Sequence, residues 1–354
     1  MAKEKNKWVL YGSYGYTGSL IAEIASRSEH PVILSGRDED QLKCQAAELK
    51  MEYKKADLEN PAEMEELLRD ALLVIHCAGP FMFTWKNMAE ACLQNNCHYM
   101  DITGEIDVFE GLKEMDYLFQ ETRLMALPGA GFDVVPSDCL ALHLKEKLPD
   151  ADTLELAFAG LGGGVSKGTA TSMAERAGNG GAVRRNGEIM RVPTAYLTRE
   201  IDFGEKKMSV MSIPWGDIST AYSSTHIENI TVFTAMKASA IRLMKLSNFI
   251  NPVLRTSFVR KLIKKQIRKK ISGPTPEQRE NGKSLFWARV SNEGGDTVEA
   301  RMTTPEGYKL TALTTWLIAQ KVAAGDFKPG YQTPATAYGK NLILEIDGVV
   351  LNEN

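Results

Sequence analysis

The first 148 residues alternate short apolar runs with stretches of helical period. Apolar runs at 8–11, 31–35 and 72–77 read as buried strands, with shorter ones at 54–57, 98–102 and 124–127. Between them apolar positions recur every three to four residues, as at Leu20, Ile21, Ile24 and Ala25. This predicts helices over 19–28, 41–50, 61–70, 109–122 and 136–147, and one more containing Met88, Ala91, Cys92 and Gln94. Pro61 opens the third helix, where its missing N–H costs no hydrogen bond. Strands that are apolar throughout and separated by helices form a parallel sheet covered on both faces. The expected fold is α/β, a doubly wound parallel sheet.

After Pro149 the pattern changes. Segments such as 152–160, 208–216 and 286–304 carry β-branched residues and turn signals, and Gly294-Gly295 separates two alternating runs as in a hairpin. Residues 308–324 are strongly helical. We therefore expect a second, inserted α+β domain over 149–331 that binds substrate or mediates a dimer. Residues 255–272 form a basic amphipathic helix. Two readings stand for it: peripheral contact with an anionic membrane or an acidic ligand, or a solvated face on a packed helix.

Composition narrows the function classes. With 354 residues, 44% of them hydrophobic, the chain can fill two cores. A net charge of −3 gives no global attraction to nucleic acid, and none is expected as a partner. The five cysteines form no C-x-x-C pair and read as reduced thiols. Cys139 lies in an apolar run and reads as buried and structural. No metal set is expected. The N-terminus lacks the apolar run of a signal peptide and no window has the length of a membrane span, so a soluble, cytoplasmic protein is expected.

The sharpest chemical feature is GSYGYTG at residues 12–18, between the first strand and the first helix. A loop there must turn tightly and bring its backbone close to a pyrophosphate, which glycine permits. The spacing is G-x-x-G-x-x-G rather than G-x-G-x-x-G. The second strand ends at Ser35-Gly36-Arg37. An acidic residue there accepts from the ribose of NAD, whereas Arg37 can pair with the 2′-phosphate of NADP; Asp38 follows directly and holds the choice open. Asp57 ends the third strand, where a carboxylate can meet the adenine amino group. At the end of the fourth strand, Gly79 lets backbone pass close to a cofactor and Pro80-Phe81 points toward the nicotinamide, while His76 reads as a core histidine. The architecture expected is thus Rossmann-type, binding NADP(H) with NAD(H) as the lesser alternative.

The chain resembles the saccharopine dehydrogenase-like oxidoreductases, which include trans-acting enoyl reductases. The resemblance rests jointly on GSYGYTG, LSGRDEDQL, AGPF, ACLQNNCHYMDITGE, PGAGFDVVPSD, SKGTATSM and GYQTPATAYGKNL. It implies a dinucleotide domain over 1–148 to which the stretch 332–354 returns. It also implies NADP(H) held by Gly12, Tyr14, Gly15, Tyr16, Thr17, Gly18, Arg37 and the loop Ala78-Gly79-Pro80-Phe81, with Ser13 and Gly36 in the same turns. One departure is Thr84-Trp85, where many relatives have an aromatic-glycine pair.

No Tyr-x-x-x-Lys pair is present: Tyr53 is followed four residues on by Asp57, and Tyr117 by Glu121. Asp133, in the turn 128–138, is the candidate for catalysis, relaying a proton or binding a substrate ammonium; a helix-capping role is its alternative. Gly104 and Glu105 are expected near the nicotinamide ribose, with Asp101 equally open as a structural partner. Lys167, Thr169 and Thr171 stand at a glycine-rich loop entering a helix, either to hold a substrate anion or as a plain hairpin tip. The function expected is NADP(H)-dependent hydride transfer to or from a small-molecule or lipid-linked acyl substrate. A non-catalytic NADP(H)-binding regulator is the alternative, and a homodimer is open.

Overall fold

The computed structural model describes residues 5–353, and the outermost ends of the expected domains, residues 1–4 and 354, lie outside the described residues. From the N-terminus the chain runs β1 (Lys7–Tyr11), α1 (Tyr16–Ala25), β2 (Val32–Gly36), α2 (Glu39–Leu49), β3 (Tyr53–Lys55) and α3 (Pro61–Leu68). It continues with β4 (Ala71–His76), α4 (Trp85–Gln94), β5 (His98–Asp101), α5 (Ile106–Glu114), α6 (Asp116–Glu121) and β6 (Met125–Leu127). The α/β reading of this half holds, strand by strand. Strand burial explains why: Val9, Leu10, Leu34, Leu73, Val74 and Ile75 are fully buried, as both faces of a covered sheet require. Local signals set the helix starts, with Asp38 capping α2 and Asn60 capping α3 ahead of Pro61.

The region 109–122 is not one helix but two. The chain breaks at Met115 (φ −90°, ψ 2°), and Asp116 uses its carboxylate to accept from the Tyr331 N–H at 2.6 Å. A residue drawn aside to satisfy a distant backbone donor cannot be anticipated from helical period.

Next come α7 (Val135–Lys147), β7 (Thr153–Leu161), α8 (Lys167–Glu175), the hairpin β8 (Gly181–Arg185) and β9 (Glu188–Val192), then β10 (Thr198–Asp202) and β11 (Lys207–Ser212). They are followed by α9 (Asp217–Thr225), β12 (Asn229–Ala235), α10 (Ala238–Ser247), α11 (Asn251–Leu254), α12 (Ser257–Lys270) and α13 (Pro276–Asn281). The hairpin expected around Gly294-Gly295 is β13 (Lys283–Ser291) with β14 (Thr297–Pro305). The chain closes with α14 (Gly307–Ala323), β15 (Gly330–Tyr331), α15 (Pro334–Tyr338) and β16 (Val350–Glu353).

Two compact units result. The first holds the chain up to Asp133 together with Tyr308–Tyr338. Its sheet has seven parallel strands in the order β15-β6-β5-β4-β1-β2-β3, the doubly wound Rossmann order with one strand added at an edge. The second unit holds Val134–Gly307 and the described residues from Gly339 onward. Its nine-stranded mixed sheet runs β10-β11-β12-β7-β13-β14-β16, with β8 pairing β12 off this path and β9 pairing β8. This is the inserted α+β domain.

The boundaries differ from the expected 1–148, 149–331 and 332–354. Helix α7 belongs to the second unit: Ser137 Oγ donates to Asp217 at 2.6 Å, and Ser224 Oγ donates to Asp138, both bonds reaching α9. Helix α14 belongs to the first unit. Its Trp316 lies 5.0 Å from Trp8 of β1, and Thr314 Oγ1 donates to the Ala130 carbonyl at 2.8 Å. The final stretch goes the other way, because β16 pairs with β14. Strand–helix alternation marks elements, but which sheet a helix covers depends on long-range contacts.

Candidate dinucleotide-binding site

Because the first sheet is parallel, the loops after β1, β2, β4, β5 and β6 leave the same edge. Strand order reverses beside β1, whose neighbours are β2 and β4, and loops diverging at such a point open a crevice. The loop after β1 is rooted by Gly12 N–H donating to the Ser35 carbonyl (2.7 Å) and by Cys77 N–H donating to the Tyr11 carbonyl (2.8 Å). Gly12 sits at φ +80°, and a Cβ there would stand 2.9 Å from the Ala78 backbone nitrogen. At Gly18 a Cβ would stand only 2.2 Å from the Gly12 carbonyl oxygen. The motif is thus required by the fold of its own loop, before any ligand is considered.

Helix α1 begins with Gly15 at its N-cap and no side-chain cap, and no acidic residue lies in its first turn. An N-terminus left in this way presents backbone donors and the positive end of the helix dipole, the ordinary seat of a phosphate. Tyr16 packs edge-on against Tyr308, ring centroids 4.8 Å apart. Ser13 is engaged elsewhere: its hydroxyl donates to Gln45 Oε1 (2.7 Å), and Gln45 Nε2 donates back to the Ser13 carbonyl (2.8 Å). Its side chain locks the loop onto α2 and is taken up there.

At the end of β2 the Tyr14 ring lies against Gly36, where a Cβ would fall 2.6 Å from a ring carbon, and the Tyr14 hydroxyl accepts from the Asp38 N–H at 3.1 Å. Arg37 is exposed and makes no ion pair or hydrogen bond among the described residues. Asp38 is occupied as the cap of α2, accepting from the Gln41 side chain (2.6 Å) and from Gln41 N–H (3.2 Å). These bonds hold the Asp38 carboxyl below the usual carboxylate range. Asp57 stands two residues beyond β3 rather than at its end, with Oδ1 accepting from Glu59 N–H at 3.0 Å.

The loop Ala78–Phe81 is held from β5's side. Glu105, buried, accepts from Phe81 N–H through one carboxylate oxygen (3.1 Å) and from Met82 N–H through the other (3.0 Å). Thr84 Oγ1 donates to the Ala78 carbonyl at 2.9 Å and also meets His76 Nε2 at 2.9 Å. His76 is fully buried, and burial pushes its pKa down to about 3, so it is a neutral core residue. Gly79 has only ordinary contacts around an added Cβ, the nearest at 3.4 Å. No described neighbour demands glycine there.

Gly104 is needed for a different reason. A Cβ at this position would stand 2.4 Å from Asp133 Oδ2, so the glycine admits the Asp133 carboxyl. Asp133 is half-buried; burial first, and the Glu105 charge second, raise its pKa to about 7. The N-cap position of α7 is Val134, whose side chain caps nothing. Asp101 is wholly internal: it accepts from Tyr99 Oη, Thr103 N–H (2.9 Å) and Gly129 N–H (2.9 Å), bracing the turn that carries Asp133. Elsewhere, Ser166 caps α8 and the Thr171 hydroxyl donates to the Lys167 carbonyl at 2.6 Å. That helix start is already capped within the second unit.

The first unit therefore gathers Gly12–Gly18, Gly36, Arg37, the Ala78–Phe81 loop, Gly104, Glu105 and Asp133 on one sheet edge. Sequence reading missed Gln45 as the partner of Ser13 and Glu105 as the clamp on the neighbouring loop. No local signal could have found them, since their partners lie 32 and 24 residues away.

Comparison with known proteins agrees with this geometry. Residues 8–126 match the saccharopine dehydrogenase NADP binding domain. The chain matches the saccharopine dehydrogenase-like oxidoreductases at the level of the family. A rat saccharopine dehydrogenase-like oxidoreductase is 25% identical over 213 residues, covering 52% of this chain and 49% of the relative. The trans-acting enoyl reductase of Mycobacterium ulcerans is 27% identical over 207 residues, covering 55% and 48%. The chain spans about half the length of these curated relatives. Apo saccharopine dehydrogenase (L-Glu forming) from Saccharomyces cerevisiae shares the fold, with a TM-score of 0.68, 12% identity and 99% of each chain covered. The chain thus has the fold and family likeness of NAD(P)-binding oxidoreductases.

Proposed function

We propose that the protein is an NADP(H)-dependent oxidoreductase that moves hydride to or from a small-molecule or lipid-linked acyl substrate. The observation that carries the reading is the pairing at the end of β2: Arg37 is exposed and unengaged, while Asp38 is tied down as a helix cap. A free guanidinium favours a 2′-phosphate, and a carboxylate occupied by its own helix competes poorly for a ribose hydroxyl. The uncapped start of α1 suits the pyrophosphate, and Gly79 leaves room for a nicotinamide beside the Ala78–Phe81 loop. The match of residues 8–126 to an NADP binding domain supports the same cofactor.

Bound there, the nicotinamide supplies the hydride acceptor or donor. The chain's part is positioning and proton handling. Glu105 fixes the Ala78–Phe81 loop through two backbone donors, and Asp101 fixes the turn carrying Asp133. With a pKa near neutrality, Asp133 can both take and give a proton at its carboxyl oxygen, the property an acid–base group needs. That poise favours turnover over a purely regulatory, cofactor-holding role. The substrate class rests on the relatives: one is named as saccharopine dehydrogenase-like and one as an enoyl reductase.

The test is fluorescence titration of the purified protein with NADPH and NADH. Tighter NADPH binding supports the reading. Binding of neither, or equal binding of both, overturns the cofactor assignment.

A further inference from the structure

Between Glu228 and Glu277 the chain holds eleven Lys or Arg and no Asp or Glu, within a protein whose net charge is −3. This segment includes α10, α11 and α12 of the second unit, where an unusual set of apolar side chains faces solvent. Phe249 is 83% exposed, Phe258 70% and Leu243 69%, with Leu246, Ile250, Val253 and Leu262 also exposed. Single exposed apolar residues are normal, but a run of seven in 20 residues is not.

The periodicity shows that these residues are not failed core. Leu243, Leu246, Ile250 and Val253 recur at three- and four-residue intervals, while Ile241 of α10 packs inward against Ala195 and Met211. On α12 a turn of 100° per residue groups Phe258, Leu262, Lys265 and Lys269 on one face. The opposite face carries Ile263 and Ile267, which pack on Ala170 and Ala174 of α8. Three other cations are engaged with the rest of the unit: Arg255 donates to the Gly178 carbonyl, Arg260 to the Ala177 carbonyl, and Lys264 pairs with Glu175. Lys261, Lys265, Lys269 and Lys270 are exposed and have no ion-pair partner among the described residues.

We infer that the outer side of α10–α12 docks on the surface of an anionic lipid bilayer, with Phe249, Phe258 and Leu246 entering the headgroup boundary and the lysines meeting lipid phosphates and carboxylates. Charge complementarity selects this occupant. A second copy related by a two-fold axis would set the same positive field against itself. A protein partner is ordinarily met with aromatic and Arg anchors and few lysines; this segment has Phe but no Trp or Tyr, and is rich in lysine. Leu, Ile and Phe ringed by Lys is the composition that lies in a membrane interface. Among the described residues no helix is long and apolar enough to cross a membrane, and the docking proposed is superficial. It is independent of the cofactor reading and is tested without turnover.

The experiment is co-sedimentation of the full-length protein with phosphatidylcholine vesicles, with and without phosphatidylserine, at low and high salt. Binding should require phosphatidylserine and fall at high salt. The combined variant Lys261→Glu, Lys265→Glu, Lys269→Glu and Lys270→Glu should bind about a thousandfold more weakly or worse, since each of the four cations lost is worth about 1 kcal/mol near an anionic surface. The double variant Phe249→Ser and Phe258→Ser should also weaken binding, which simple charge attraction would not predict. The circular-dichroism spectrum and melting temperature, unchanged in both variants, report that they are folded. Equal sedimentation with neutral vesicles, or none with either, overturns the inference. So does a stable dimer that the phenylalanine variant converts to monomer, which would assign the face to a second copy.

Discussion

In the proposed oxidoreductase, single residues decide the cofactor's identity and the proton's availability. Arg37→Ala should weaken NADPH by about 1.5–3 kcal/mol, the worth of a hydrogen bond to a charged group, and leave NADH nearly unchanged in parallel titrations. Gly18→Ala places a Cβ 2.2 Å from the Gly12 carbonyl, so the loop must shift; loss of binding to both cofactors, with a lowered melting temperature, is expected. Asp133 makes a pH prediction. Its folded pKa of about 7 lies above the unfolded value of 3.8, so the folded state holds a proton that the unfolded state has released. The resulting destabilisation is absent below about pH 4, grows as pH rises and is complete above about pH 7. Asp133→Asn removes it. The variant should match the parent near pH 4 and exceed it by about 2 kcal/mol at about pH 8 in urea unfolding, while losing the acid–base function. A difference between variant and parent that does not change with pH would show that the carboxyl is not held near neutrality.

At the scale of elements, the site depends on loops that brace one another. Glu105 presents two carboxylate oxygens to two backbone donors in the neighbouring loop. Glu105→Gln replaces one acceptor with an NH2 group aimed at an N–H. It should cost about 1–3 kcal/mol of stability and weaken NADPH through disorder of the Ala78–Phe81 loop. It should also move the Asp133 inflection toward lower pH, because the Glu105 charge contributes to raising it. A change in melting temperature with an unmoved pH profile would separate the structural part from the electrostatic part. The helix starts, by contrast, are local matters: Asp38, Asn60, Ser166, Thr256 and Thr275 each cap the helix they precede. Such starts are legible in sequence because cap and recipient are two or three residues apart. The break at Met115 is not, because the bond that draws Asp116 aside comes from Tyr331.

For the whole molecule, the interrupted layout has a measurable consequence. A fragment of residues 5–148 lacks β15 and α14, whose Leu310, Ile318 and Val322 are fully buried or nearly so. It also retains α7 without the α9 partners that hold Ser137 and Asp138. It should unfold without cooperativity or aggregate. Residues 5–133 joined by a short linker to 308–338 should unfold cooperatively, since Phe132 N–H already meets Thr311 Oγ1 at 3.0 Å. Equal cooperativity of the two fragments in thermal denaturation would refute the division.

The amino-acid sequence alone determined the strands and most helices of the first unit, the glycine loop and the charge at the end of β2. These follow from contacts within a few residues: apolar runs, caps, and backbone angles only glycine accepts. Tertiary structure decided the rest. It assigned α14 to the first unit and α7 to the second, engaged Ser13 with Gln45, and turned Glu105 into a clamp. It also set Asp133 beside Gly104 in a site where burial lifts its pKa. Those outcomes depend on which residues distant in sequence share a low-dielectric neighbourhood, and periodicity along the chain carries no record of that.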